Sequence, residues 1–273
     1  ASGGDHPAAT ELVQALVNAA QDPAVRGWLM AELAEYTHPL NAVEAQQILK
    51  SAHALNRQLL RPHAGIAYQR LPPLSGEQAA TSISYLRSQF KQPNELVVAA
   101  NAIADDLAFR PNSYKKFHRA LRDAAMFLGM QGQLPESEFG AGPDVLWAIG
   151  GLRYFVIECK NEATTDTVNK KDCNQLAGSA NWFTTRYDAT CAAVPLMVHP
   201  SAAFERASTP PPNTRVMTDV GLPAFRAAFL AFCSSIAGLH QFGSPKDVAA
   251  LLNAHRLIPD ALLAAYTSPA TKR

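Results

Sequence analysis

Paired cysteines are missing from this chain. Its four cysteines, Cys159, Cys173, Cys191 and Cys233, form no C-x-x-C pair and match no zinc spacing. They read as buried, reduced thiols of a cytoplasmic protein. The eight histidines are scattered without an H-x-x-x-H pair, which argues against a zincin. Charge of one sign is lacking too: the net charge is +1, so no overall field draws the chain to DNA or anionic lipid. Any polyanion site must be a local patch. Apolar runs fall far short of the ~20 residues of a membrane span, and no charged-then-apolar signal opens the chain. A membrane partner is therefore not expected. No P-loop is present, so a motor would belong to a missing segment or to a partner. The chain starts Ala1-Ser2-Gly3-Gly4 without Met, which reads as a tag remnant or as a piece of a longer protein.

What is present suits a packed core. The chain has 273 residues, 48% apolar and 17% charged, enough for one large domain or two small ones. Residues 8 to about 60 read as helices. Thr10 is placed to cap the first, and Asn41 and Glu44 have capping-box spacing for a later one. A break over 61–76, with Pro62, Gly65, Pro72, Pro73 and Gly76, precedes two more helices. Residues 114–128 form an amphipathic helix closed by Gly129. Strands follow over 144–149 and 152–160, separated by Gly150-Gly151. A helix over 171–187, strands over 192–198 and 214–217, and an apolar helix over 222–237 complete the pattern. The expectation is an α/β protein with a mixed sheet, its helices on both faces. Its parts are a helical region (1–110), a sheet-bearing domain (111–242) and a helical tail (243–273).

The chemistry gathers in two runs, Gly142-Pro143-Asp144-Val145-Leu146-Trp147 and Tyr154-Phe155-Val156-Ile157-Glu158-Cys159-Lys160. Alternation puts Tyr154, Val156, Glu158 and Lys160 on one face of the second strand. Two charges ending an apolar strand on one face are costly unless they are paired or form a site. Asp144 has to join them from the neighbouring strand. A two-residue turn on Gly150-Gly151 would set Asp144 opposite Ile157, on the wrong face. Convergence needs an odd loop, a bulge, or irregular backbone after Pro143. Two carboxylates, with the Cys159 carbonyl between them, suit Mg²⁺ or Mn²⁺. Lys160 is placed to orient or deprotonate an attacking water, or to neutralise a phosphate.

These residues resemble the PD-(D/E)xK nuclease superfamily. Pro143-Asp144, then Glu158-Cys159-Lys160 across a hairpin, carry the likeness. Gln175-Leu176 on the next helix resembles the glutamine motif of its RecB-like and restriction-like branches. The whole run, with Asn161 and Trp182, is similar to nuclease domains attached to bacterial helicases in DNA processing and anti-phage defence. The resemblance covers roughly residues 113–240. It implies a restriction-endonuclease-like, four-stranded mixed sheet flanked by helices, and metal-dependent hydrolysis of phosphodiesters, with DNA as the expected substrate. It makes Asp144 and Glu158 metal ligands, Lys160 the catalytic lysine and Gln175 an organiser of DNA or of the site. It also implies a helicase or ATPase as a partner, in the same polypeptide or a complex. Many members carry a further acid on the helix before the hairpin. Here that helix offers Asp123, which could equally offset Arg119 and Arg122.

Each of these features also has a plainer reading. E-x-K at a strand end can be a salt bridge of little worth. Lys115, Lys116, Lys170 and Lys171 are candidate phosphate contacts or solvated helix faces. Trp147 and Trp182 are core residues or base-stacking platforms. His199 is structural or belongs to the site, and Asn161 and Glu162 line the cleft or cap the strand. The alternative to a Mg²⁺-dependent deoxyribonuclease is a catalytically inactive nuclease fold that binds nucleic acid or a partner.

Overall fold

The computed structural model describes residues 6–59 and 68–273. In chain order the elements are α1 (His6–Ala19), α2 (Pro23–Thr37), α3 (Ala42–Leu55), α4 (Gln78–Gln89), α5 (Pro93–Asp106), α6 (Tyr114–Phe127), β1 (Gln131–Gln133), α7 (Pro135–Phe139), β2 (Val145–Gly150), β3 (Arg153–Cys159), α8 (Lys170–Arg186), β4 (Ala192–Val198), β5 (Ala203–Phe204), β6 (Arg215–Met217), α9 (Gly221–Ala237), α10 (Pro245–Ala254), α11 (Pro259–Tyr266), β7 (Ser268–Pro269) and β8 (Thr271–Lys272). Part of the break expected over 61–76, including Pro62 and Gly65, lies outside the described residues; 68–77 hold neither helix nor strand. The chain divides into two units: 1–69 with 135–141, and 70–134 with 142–273. Residues 70–110 and 243–273 thus group with the sheet.

The first unit is helical. Val13 and Val17 of α1 meet Leu33 of α2 in a small apolar cluster. Asn41 caps α3: its Oδ1 accepts from Glu44 N at 3.0 Å, and its Nδ2 donates to Glu44 Oε2 at 3.2 Å. Thr10 corrects the sequence reading. It lies inside α1 and donates Oγ1 to the His6 carbonyl at 2.8 Å, because the helix already starts at His6-Pro7, where an early proline is favoured.

The second unit is built on a mixed sheet of order β1-β2-β3-β4-β6-β7. The β1-β2-β3 and β6-β7 pairs are antiparallel, and β3-β4-β6 run parallel. The four strands expected from sequence are β2, β3, β4 and β6. The sheet has six strands rather than four because β1 and β7 extend its edges. Neither extra strand has an apolar alternation: β1 is Gln-Gly-Gln, and β7 contains Pro269, tolerated only at an edge.

Alternation sorts the two faces. Val145, Trp147, Ile149, Phe155, Ile157, Leu196 and Val198 pack with α5, α6 and α9. Met197 and Val216 face the other way, against Cys173 and Leu176 of α8. Tyr154 joins this second face, where its ring lies 5.1 Å from Phe183. Trp147 is 1% exposed and packs on Phe155 and Phe225, so it is a core residue and no base can stack on it. Trp182 is half-buried beside Tyr187. The stretch Pro245–Tyr266 has the length and hydropathy of a membrane span. It folds instead as α10 and α11 with a break between, and Val248, Leu252, Leu257 and Leu262 are buried in the core.

The β2-β3 hairpin settles the register. Gly150 pairs with Arg153, but Ala148 pairs with Tyr154, so Ile149 is an extra residue, a bulge. Beyond it Leu146 faces Val156 and Val145 faces Ile157. One further step sets Asp144 opposite Glu158. Two of the three routes are found together: the bulge at Ile149, and an Asp144 that lies in irregular backbone after Pro143, before the ladder.

Candidate active site

Asp144 sits in a bend after Pro143, just before the ladder. Its Oδ2 accepts from Cys159 N at 2.8 Å, so the carboxylate lies against the Glu158–Cys159 peptide. Its Oδ1 is 3.8 Å from His118 Nδ1 on α6. Asp144 and Glu158 are only 7% and 5% exposed. Carboxylates this deep need partners, and Ser179 and Lys160 are among those of Glu158. Ser179 of α8 donates Oγ to Glu158 Oε1 at 2.5 Å, and Lys160 Nζ lies 3.8 Å from Oε2. Asp172, in the first turn of α8, approaches Lys160 Nζ at 4.0 Å. Lys160 is thus held between two acids.

The strand order explains why these groups meet. Lys160 N donates to the Val198 carbonyl at 2.7 Å, just past the paired ends of β3 and β4. The site therefore lies at the carboxyl ends of the parallel strands, where open α/β sheets commonly bind ligands. His199 follows β4 on the neighbouring strand and is fully buried. Burial pushes its imidazole below the usual range; the Ser201 backbone and Asp172 oppose this, and Lys160 adds to it. His199 Nε2 lies 3.4 Å from Thr165 Oγ1.

Cys159 points the opposite way from Glu158. Burial pushes its thiol well above the ordinary range; Asp144 and then Glu158 push it further, and Lys160 opposes them. Ligand atoms of His118, Asp144 and Cys159 all lie within 4.8 Å of one another. Asp144 thus groups with a nitrogen and a sulfur on the α6 side, while Glu158 turns toward Ser179 of α8.

The remaining candidates divide. Gln175 is exposed on α8. It lies three residues after Asp172 and four before Ser179, on the helix face that meets the motif. Asp123 forms an ion pair with its neighbour Arg122 at 2.7 Å. It lies about 140° round α6 from His118, so the helix before the hairpin presents a histidine to Asp144 rather than this acid. Lys115, Lys116, Lys170 and Lys171 are exposed. Lys115 lies about 60° from His118 round α6, whereas Lys170 and Lys171 lie about 160° and 100° from Asp172 round α8.

Asn161 and Glu162 bond to the start of α6. Glu162 Oε1 accepts from Ser113 N at 2.7 Å and Tyr114 N at 3.0 Å, capping α6 from outside the helix. Asn161 Nδ2 donates to Ser113 Oγ at 2.9 Å, and Arg110 N donates to the Asn161 carbonyl at 3.0 Å. The segment after Lys160 therefore fastens the start of the helix that carries His118.

His118, Asp172 and Ser179 are the site residues that sequence reasoning missed. A signal existed for two of them. His118 falls on the α6 stripe of Leu121 and Ala125, and Ser179 falls between buried Leu176 and Phe183 on α8. Polar residues on an apolar stripe break the local pattern. No protein-family model, curated protein or solved structure matches the chain.

Proposed function

We propose that this protein is a divalent-metal-dependent nuclease that hydrolyses phosphodiesters in DNA, on a restriction-endonuclease-like core formed by β2, β3, β4 and β6. One observation carries the reading: the bulge at Ile149 brings Asp144 against the Glu158–Cys159 peptide, with Lys160 beside Glu158. Asp144, Glu158 and the Cys159 carbonyl supply oxygen donors of the kind Mg²⁺ or Mn²⁺ takes. His118 adds a nitrogen that suits Mn²⁺ better. Bound there, the ion supplies Lewis acidity toward water and phosphoryl oxygen. Ser179 holds the Glu158 carboxylate in one orientation. Lys160 presents a cation where negative charge develops on the phosphate, and Gln175, exposed on α8, contacts the strand.

Purified protein, incubated with single-stranded, duplex and branched DNA in Mg²⁺ or Mn²⁺, is expected to cleave at least one of them. Asp144→Ala with Lys160→Ala should abolish the cleavage. Equal activity in wild type and double mutant defeats the reading. The second reading, an inactive fold that binds nucleic acid or a partner, is favoured by carboxylates already satisfied within the chain. Salt-dependent DNA binding that survives Glu158→Ala, without cleavage by wild type, supports it. A helicase or ATPase partner and a role in anti-phage defence are part of the same proposal, resting on the motif resemblance alone.

A further inference from the structure

The hard-metal reading leaves the Cys159 thiol and its position unexplained. A side chain beneath a carboxylate site could be any small apolar residue. Here it is a sulfur that, with His118 and Asp144, completes a triad of ligand atoms within 4.8 Å of one another. Imidazole, thiolate and carboxylate are the donors of a zinc site, with metal–ligand distances of about 2.0–2.3 Å. Donors this close need to move inward by only a fraction of an ångström to reach one ion. The triad is not a sequence motif: its members lie 26 and 15 residues apart, on α6, before β2 and at the end of β3.

We propose that His118, Asp144 and the Cys159 sulfur form a second, thiophilic metal site that takes Zn²⁺, and that this site excludes the hard-metal state. The proposal rests in part on the nuclease reading, since the consequence of occupancy is inhibition. Exclusion follows from Asp144. Its Oδ2 is committed to the Cys159 amide, and its Oδ1 is turned to His118. Alternation places the Cys159 sulfur across the strand from Glu158. An ion held by the sulfur and His118 therefore keeps Asp144 on the α6 side, where it cannot share an ion with Glu158. The Cys159 thiol gives up its proton on binding, as a thiolate ligand must. The fourth position is left to water or substrate, as in open zinc sites.

Co²⁺ serves as the spectroscopic probe, added to the full-length, reduced chain. The expected result is a thiolate-to-cobalt charge-transfer band that Zn²⁺ removes at one equivalent. Cys159→Ser should abolish the band. His118→Ala should weaken Co²⁺ binding by more than about tenfold, and Cys191→Ser should leave the band unchanged. His118→Ala is the variant that decides if Cys159→Ser fails to fold. No band in wild type, or a band that persists in Cys159→Ser or is unaffected by His118→Ala, overturns the site. If wild type cleaves DNA in Mn²⁺, one equivalent of Zn²⁺ should suppress cleavage; cleavage that persists with the cobalt band displaced overturns the exclusion. A chain that shows the band but never cleaves defeats the nuclease reading alone.

Discussion

Ser179 gives Glu158 a hydroxyl partner where water has little access. A hydrogen bond to a buried charge contributes about 1.5–3 kcal/mol. Ser179→Ala should therefore lower the urea-unfolding free energy by roughly that amount, and Ser179→Thr, which keeps the hydroxyl, should recover most of it. A loss below about 0.5 kcal/mol, within the range of an ordinary surface substitution, would show that the bond does not hold the carboxylate. Residues of this kind define how far the sequence could be read. Asp144, Glu158 and Lys160 announce themselves through spacing along two strands. Ser179 and His118 do not, because their relation to the acids exists only once α8 and α6 lie on opposite faces of the sheet. Both interrupt an apolar stripe, but that mark alone names no partner.

At the level of elements, α6 depends on how it ends. Gly129 has φ +78°, and Met130 N donates to the Ala125 carbonyl at 2.9 Å across it. A Cβ there would sit 2.0 Å from the Gln78 carbonyl and 2.6 Å from Ser82 N, both backbone atoms of α4. Gly129→Ala thus combines left-handed strain of about 1–3 kcal/mol with overpacking of similar size. The expected outcome is a fall of at least about 2 kcal/mol in unfolding free energy, read by urea titration. A neutral substitution would mean that α4 and α6 can separate here at no cost. The helix and its glycine stop were legible because apolar residues recur at helical period up to that point. The edge strands were not: Gln131–Gln133 and Ser268–Pro269 gain their conformation from the ladder beside them. The hairpin lies between these cases. Parity limited the register to three routes, and only the backbone could show that the bulge and the irregular start at Asp144 occur together.

For the whole molecule, charge sets a ceiling on nucleic-acid binding. With a net charge of +1, affinity for a polyanion must come from a few placed cations. If Lys115, Lys116, Lys170 and Lys171 each meet one phosphate, log K against log[salt] on duplex DNA should have a slope no steeper than about −3.6. Replacing all four by Ala should bring it near zero. An unchanged slope in that variant would assign the contacts elsewhere; the two pairs open different helices and need not serve one strand of DNA. The fold class was readable at this scale because the strands are apolar and the helices amphipathic. The grouping of 135–141 with the first 69 residues was not, since nothing in the loop sequence specifies which unit receives it.

The bonds from Asn161 and Glu162 to the start of α6 have a mechanical consequence. They tie the end of β3, through the segment after Lys160, to the helix that bears His118. Loosening α6 would cost all of those bonds together. α8 meets the motif differently, through the Ser179 hydroxyl, the long Asp172–Lys160 ion pair and the packing of Cys173 and Leu176 on the sheet. Gln175 is carried on α8, whereas Asp144, Glu158 and His118 lie on the side that Asn161 and Glu162 fasten.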